Sequence, residues 1–117
     1  MLKKRNRLLK TADFQAAYQQ GKYVVAKQMV IYRLPKPDNT NIRIGFVVSK
    51  KVGQAHVRNR CKRLLRAAMN QFLPELAPEY DLVVVARPPL AKDNYQDVYK
   101  TMAKLLRKAK LLGDVSR

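Results

Sequence analysis

The chain has 117 residues, of which 25 are Lys or Arg and 8 are Asp or Glu, so its formal net charge is +17. This length allows one domain, residues 1–117, with a hydrophobic core, and the apolar fraction of 47% is normal for a globular protein. No apolar run is long enough for a membrane span or a signal peptide, so we expect a soluble, cytoplasmic protein. The excess of positive charge predicts a polyanionic partner.

The first half of the chain predicts one helix and two strands. Residues 11–21 have the pattern of a short helix, with Thr11 as its N-terminal cap and Gly21 at its end. Residues 29–34 and 42–48 are rich in β-branched and aromatic side chains, and turn-forming residues separate them. We therefore expect these two strands to pair as an antiparallel hairpin.

The second half predicts helix, strand and helix. Residues 57–72 form an amphipathic pattern, residues 82–86 are an apolar run typical of a central strand, and residues 94–110 repeat at helical spacing after a cap at Asp93 or Asn94. The order α-β-β-α-β-α predicts an α/β protein, an α+β sandwich with helices packed on a single small sheet. By default the strand-helix-strand crossover would be right-handed.

The helix predicted over residues 57–72 has a wholly cationic polar face. Its apolar stripe consists of Val57, Cys61, Leu64, Leu65, Ala68 and Phe72. No acidic residue occurs between Asp38 and Glu75, and like charges such as Arg58 and Lys62 at i, i+4 destabilise a helix. A solvated charged face, an anionic membrane or an acidic protein are alternatives, but the arginines and the absence of Trp favour nucleic-acid phosphate.

Three aromatic residues form a second candidate site. Phe14, Tyr18 and Tyr32 could stack on the bases of a single strand beside the cationic helix. From the residues alone, an ordinary core role that holds the first helix on the sheet is favoured for Phe14 and Tyr18.

Catalytic and metal-binding residues are not indicated. The single histidine, His56, has no nucleophile or acid at a supporting spacing, and the carboxylates do not cluster. The single cysteine, Cys61, lies on an apolar stripe and is expected to be a small buried residue in a reducing compartment. We therefore expect no catalytic side chain in this chain, and the sequence identifies no residues as metal ligands.

The stretch SKKVGQAHVRNRCKRLLRAA, residues 49–68, closely resembles the signature of the bacterial ribonuclease P protein subunit. Its surroundings are similar too, namely KKRNRLLKTADFQAAY at residues 3–18, IRIGFVVSKK at 42–51 and YDLVVVARPPLA at 80–91. The resemblance extends from about residue 3 to residue 110.

This resemblance implies a subunit of a ribonucleoprotein endonuclease that removes the 5' leader from precursor tRNA. In that family the RNA performs the hydrolysis with bound Mg²⁺, while the protein binds the leader and supports the fold and metal affinity of the RNA. The implied partners are the catalytic RNA and precursor tRNA, with no membrane and no DNA. The composition alone would equally fit a ribosomal or other structural RNA-binding protein, and an autonomous nuclease is disfavoured by the shortage of His and clustered acids.

The resemblance also assigns site residues and implies a left-handed crossover, against the default. The leader-binding residues are Phe14, Tyr18 and Tyr32. The RNA-binding residues are Lys50, Lys51, Arg58, Asn59, Arg60, Lys62, Arg63 and Arg66.

Overall fold

A computed structural model describes residues 3–112 and contains a four-stranded sheet with helices on both faces. The helices and strands are α1 (Thr11–Gln20), β1 (Lys22–Val25), β2 (Met29–Pro35), β3 (Arg43–Val47), α2 (Ala55–Phe72), β4 (Tyr80–Ala86) and α3 (Tyr95–Lys108). Short 3₁₀ turns lie at Lys4–Asn6, Leu73–Glu75 and Pro88–Lys92. The α+β class is confirmed. None of the helices in residues 3–112 combines the length and apolar character needed to cross a bilayer.

The strands follow the order β1-β2-β4-β3, so the predicted hairpin between the second and third of them is wrong. β4 lies between β2 and β3, antiparallel to the first and parallel to the second. Its continuous apolar sequence suits this central position, where both faces are covered. The loop between β2 and β3 is therefore not a tight turn. It spans two strand spacings, about 10 Å, because β4 lies between the two strands.

The predicted element order also lacks β1, which pairs antiparallel with β2. This strand has only four residues and lies mostly exposed at the edge of the sheet, so its sequence does not alternate between apolar and polar. The β1–β2 turn closes with a hydrogen bond from Ala26 N to Met29 O at 2.8 Å. It contains no Gly, Pro, Asn or Asp, which are the residues that usually mark a turn in a sequence.

The main core lies between the sheet and the pair α2 and α3. Leu82 and Val84 of β4 point into it, while Val83 between them points to α1. On α2 the predicted apolar stripe is confirmed, since all six residues are buried or half-buried against this core, and Met69 is also fully buried there. Phe72 stacks on Tyr99 of α3 with ring centroids 4.9 Å apart.

The helix boundaries agree with the sequence except at one cap. α2 begins two residues before the predicted start and ends before Pro74. Asn94 caps α3 through a reciprocal pair of hydrogen bonds with Asp97. The predicted cap of α1 is wrong, because Thr11 is already helical and Lys10, at the cap position, makes no side-chain hydrogen bond there.

An ionic cluster around the buried carboxylate of Asp81 joins α1 to the sheet. Asp81 of β4 has no exposed surface, and its carboxylate accepts hydrogen bonds from Arg43 Nε at 2.9 Å and Nη2 at 2.6 Å. Asn39 Nδ2 donates a third at 2.9 Å. Arg43 Nη1 also reaches Asp13 of α1 at 3.5 Å. The cluster thus joins the β2–β3 loop, two strands and α1.

Replacing Arg43 with Met should lower the free energy of unfolding by about 3 kcal/mol, because the buried carboxylate of Asp81 would lose its counter-charge. Asp13→Asn is the matched comparison and should cost at most about 1 kcal/mol, since its ion pair is long and partly exposed. Urea denaturation of the two variants measures both values. Equal losses would contradict the dominant role of the buried pair.

The Cys61 thiol should react slowly with aromatic disulfide reagents in the folded protein. Cys61 has no exposed surface, and burial raises the pKa of its thiol, while the charge of Arg60 opposes this effect. Both burial and a raised pKa reduce attack, because the thiolate is the reactive form. The reaction rate in buffer compared with that in urea provides the measurement, and equal rates would show that the thiol is accessible.

Candidate nucleic-acid interface

The predicted RNA-binding residues form one surface, here called the basic face. Lys50 and Lys51 lie in the turn before α2, and the other six lie on α2 itself. Within residues 3–112 the ion pairs all belong to Arg43, so no residue of the basic face is paired with a carboxylate. The like charges on α2 are therefore left for a partner to neutralise.

Two arginines of the basic face are held by backbone carbonyls. Arg58 Nη1 donates to Gly53 O at 3.1 Å. Arg60 donates to Ala91 O at 3.3 Å and to Asp93 O at 2.6 Å, which fastens α2 to the segment before α3. A guanidinium has five N–H donors, so both side chains keep donors for a ligand. The sequence did not reveal this second, structural role.

The turn that presents Lys50 and Lys51 depends on Gly53. This residue has a φ of +157°, and a Cβ placed on it would lie 3.0 Å from the side chain of Val57. Both facts favour glycine. The turn is closed by hydrogen bonds from Val52 N to Ser49 O and from Gly53 N to Lys50 O. The two lysines are consequently exposed on a defined backbone beside the start of α2.

The aromatic cleft, made of Phe14, Tyr18 and Tyr32, lies between α1 and the sheet, on the face opposite α2. The rings of Tyr18 and Tyr32 meet edge to face, with centroids 5.0 Å apart. Tyr18 is 37% exposed and Tyr32 is half-buried, so both rings keep accessible surface. Burial and the neighbouring Tyr32 raise the pKa of the Tyr18 hydroxyl. Like any tyrosine hydroxyl, it is a hydrogen-bond donor at neutral pH.

Phe14 combines a core position with a place in the cleft. Its ring lies directly on Gly45 of β3, where an added Cβ would be 2.4 Å from Cζ. It also packs with Leu8 and Val83 in the small core beneath α1. The close approach of α1 to the sheet therefore requires glycine at position 45.

A groove of about 180 Å³ connects the two predicted sites. It is bordered by Phe14 and Gly45 on one side and by Arg66 of α2 on the other. Arg66 thus reaches the β3 edge of the sheet, although α2 packs on the opposite face. The aromatic cleft and the basic face therefore approach each other at this edge, through Phe14 and Arg66.

Tyr23 is an aromatic residue that the sequence analysis missed. It lies opposite Tyr32 in the β1–β2 register, with ring centroids 5.6 Å apart, and is 62% exposed. Three tyrosine rings therefore adjoin one another across α1, β2 and β1. Tyr23 could have been recognised only after its strand had been predicted.

The arrangement has the chemistry of a single-strand binding site. Stacking rings lie beside a cationic track, and every base has a face that can stack while every nucleotide carries a phosphate. In the described part of the chain, residues 3–112, no group of three or more His, Cys, Asp or Glu side chains could hold a metal ion. The fold and the two surfaces are therefore those of an α+β protein that binds single-stranded nucleic acid.

The comparisons with known proteins identify the family. The family model for ribonuclease P matches residues 2–110. A ribonuclease P protein component of Geobacillus kaustophilus is 44% identical over 108 residues, which cover 92% of this chain and 89% of that one. One from Bacillus cereus is 41% identical over 108 residues, which cover 92% and 94%. The chain belongs to the ribonuclease P protein family.

Solved structures show the same fold. The ribonuclease P protein of Staphylococcus aureus aligns with a TM-score of 0.85 at 30% identity, over 92% of this chain and 98% of that one. The protein of Thermotoga maritima aligns with a TM-score of 0.77 at 25% identity, over 87% and 96%. The family resemblance of the sequence is thus confirmed. The chain is a subunit of the ribonuclease P holoenzyme, an endoribonuclease of tRNA processing, and associates with the RNA of that enzyme.

Arg63→Gln should weaken binding to the ribonuclease P RNA and reduce its salt dependence. Arg63 is exposed on α2 and makes no hydrogen bond or ion pair with residues 3–112. One lost phosphate contact lowers the slope of log K against log salt by about 0.7 to 0.9. Filter binding over a salt series, together with urea denaturation, measures affinity and stability separately.

Arg60→Gln is the comparison for that measurement. It should lower the free energy of unfolding as well, because two hydrogen bonds to backbone carbonyls would be lost. An unchanged salt slope for Arg63→Gln would contradict a phosphate contact at Arg63.

Proposed function

We propose that the aromatic cleft binds the 5' leader of precursor tRNA and that the basic face binds the catalytic RNA and the first leader nucleotides. The observation that carries this proposal is the groove in which Phe14 and Arg66 meet, because it brings a residue of the aromatic cleft next to a cationic side chain of the basic face. A strand that leaves the cleavage site along the basic face can enter the cleft there. A mature tRNA has no 5' leader that could follow this path.

The exposed parts of Tyr18 and Tyr32 supply affinity for a leader of any sequence. Stacking contributes about 1 to 3 kcal/mol per base and tolerates all four bases. Their edge-to-face contact holds the two rings in different planes, 73° apart, so that they offer two separate faces. The Tyr18 hydroxyl adds a donor for a phosphate or a base edge.

We propose that hydrolysis and Mg²⁺ binding belong to the RNA. Within residues 3–112 no group of three or more His, Cys, Asp or Glu side chains could hold a metal ion, and Asp81 and Asp13 are both paired with Arg43. Mg²⁺ is usually held in octahedral geometry by several waters together with carboxylate and phosphate oxygens, and an RNA supplies many phosphates. The contribution of the chain is electrostatic, since Lys and Arg side chains reduce phosphate repulsion and so favour a compact RNA that holds its own metal ions.

We further propose that the chain acts in the cytoplasm. Its single cysteine is free and buried, so the fold does not depend on an oxidising compartment.

Tyr18→Leu should lower the affinity of the holoenzyme for precursor tRNA about five-fold or more and leave its affinity for mature tRNA unchanged, because only the precursor has a leader to stack. Tyr18→Phe is the control and should retain most of the affinity, since the ring remains. Equilibrium binding to both RNAs, with Ca²⁺ in place of Mg²⁺ to suppress cleavage, measures the difference. Equal losses for precursor and mature tRNA would refute a leader site and favour a general RNA-binding role.

A further inference from the structure

A second cationic groove lies at the β1 edge of the sheet. This edge is opposite the β3 edge, which Arg66 of α2 reaches. It has a volume of about 380 Å³ and is formed by the β1–β2 turn on one side and α3 on the other. Lys27 of the turn and Lys104 and Lys108 of α3 border it, together with the polar side chains of Gln28 and Thr101. We call it the lysine groove. None of its lysines belongs to the basic face.

The lysines of this groove have no counter-charge in the described part of the chain. Lys104 and Lys108 stand at i, i+4 on α3, a spacing at which like charges repel. No carboxylate lines the groove. Asp97, the acidic residue within α3, is committed to the cap of that helix with Asn94. As on the basic face, the repulsion is relieved by an anion from outside the chain.

The lysine groove is continuous with the aromatic cleft. Tyr23 adjoins Tyr32 of the cleft, and Val25, two residues further along β1, lies on the same face of the sheet. Val25 is 44% exposed and also borders the lysine groove. Accessible surface therefore leads from Tyr32 over Tyr23 and Val25 into the groove.

We propose that Tyr23 and the lysine groove form a distal subsite for single-stranded RNA, which holds leader nucleotides upstream of those at Tyr18 and Tyr32. This inference rests on the proposed function, because it extends the same leader path. The direction follows from the geometry, since the Arg66 end of the cleft adjoins the basic face and the Tyr23 end lies at the opposite edge. Tyr23 stacks on a base, and the lysines bind the phosphates that follow.

The test uses the reconstituted holoenzyme and a series of precursor tRNAs whose leader is lengthened one nucleotide at a time. With the unchanged protein, affinity should rise as the cleft is filled and rise again when the leader reaches the lysine groove. The double variant K104Q/K108Q should lose only the second rise. Its salt slope for long leaders should fall by about 1.4, which corresponds to two single-strand phosphate contacts, and its slope for short leaders should not change.

Tyr23→Ser should reduce affinity about five-fold or more, again only for leaders long enough to reach it. Tyr23→Phe keeps the ring and should behave as the unchanged protein. Lys100→Gln is the charge control, because Lys100 is exposed on α3 but does not border the groove. All of these side chains are on the surface, and thermal unfolding of each variant verifies that it is folded.

Two results would overturn the distal subsite. If K104Q/K108Q lowers affinity equally for short and long leaders, the groove binds the catalytic RNA instead, and if it changes neither, the groove binds no RNA. Failure of the leader cleft itself gives a different result, namely no difference between precursor and mature tRNA for Tyr18→Leu. The two failures are therefore distinguishable.

Discussion

The ion pair between Arg43 and the buried carboxylate of Asp81 is the interaction on which the interface depends. It fixes the end of the sheet on which α1 rests, and through Asp13 it also holds α1 itself. Asp13 and Asp81, two of the eight acidic residues, are paired with Arg43 in this way. Neither is then available to neutralise the basic face. The same contact thus orders the cleft and preserves the positive potential beside it, and both effects favour an RNA strand.

On the basic face, side chains that we propose to bind RNA also stabilise the fold. Arg58 and Arg60 are tied to backbone carbonyls rather than to carboxylates. A carbonyl acceptor positions the guanidinium without cancelling its charge, so a phosphate still meets a full positive charge that is already oriented. Pre-oriented side chains lose less entropy on binding than free ones. Lys62, Arg63 and Arg66 are not pre-oriented in this way, so the positions of their charges are more adaptable.

Much of the fold, including the helix that carries most of the candidate RNA-binding residues, could be predicted from the sequence, because long amphipathic segments such as α2 and α3 and the apolar run of β4 carry strong periodic signals. The pairing of the strands could not be predicted, since the turn residues between β2 and β3 do not show that β4 lies between these strands. β1 was not predicted, because apolar and polar residues do not alternate along a short, exposed edge strand. Phe14 and Tyr18 could not be separated either. Phe14 is partly a core residue because Gly45 lets it approach the sheet, whereas Tyr18, one turn later, emerges beside Tyr32.

The missed strand matters for function because it determines where a bound strand of RNA can go. With the order β1-β2-β4-β3, a leader that enters at the β3 edge beside Arg66 crosses the strands rather than following one of them. The sheet is about 14 Å wide between the axes of its outer strands. Without β1 the path would end at Tyr32. With it, the path gains the ring of Tyr23 and reaches the lysines of α3, so the helix that completes the core on one face also contributes charge to the far end of the path on the other.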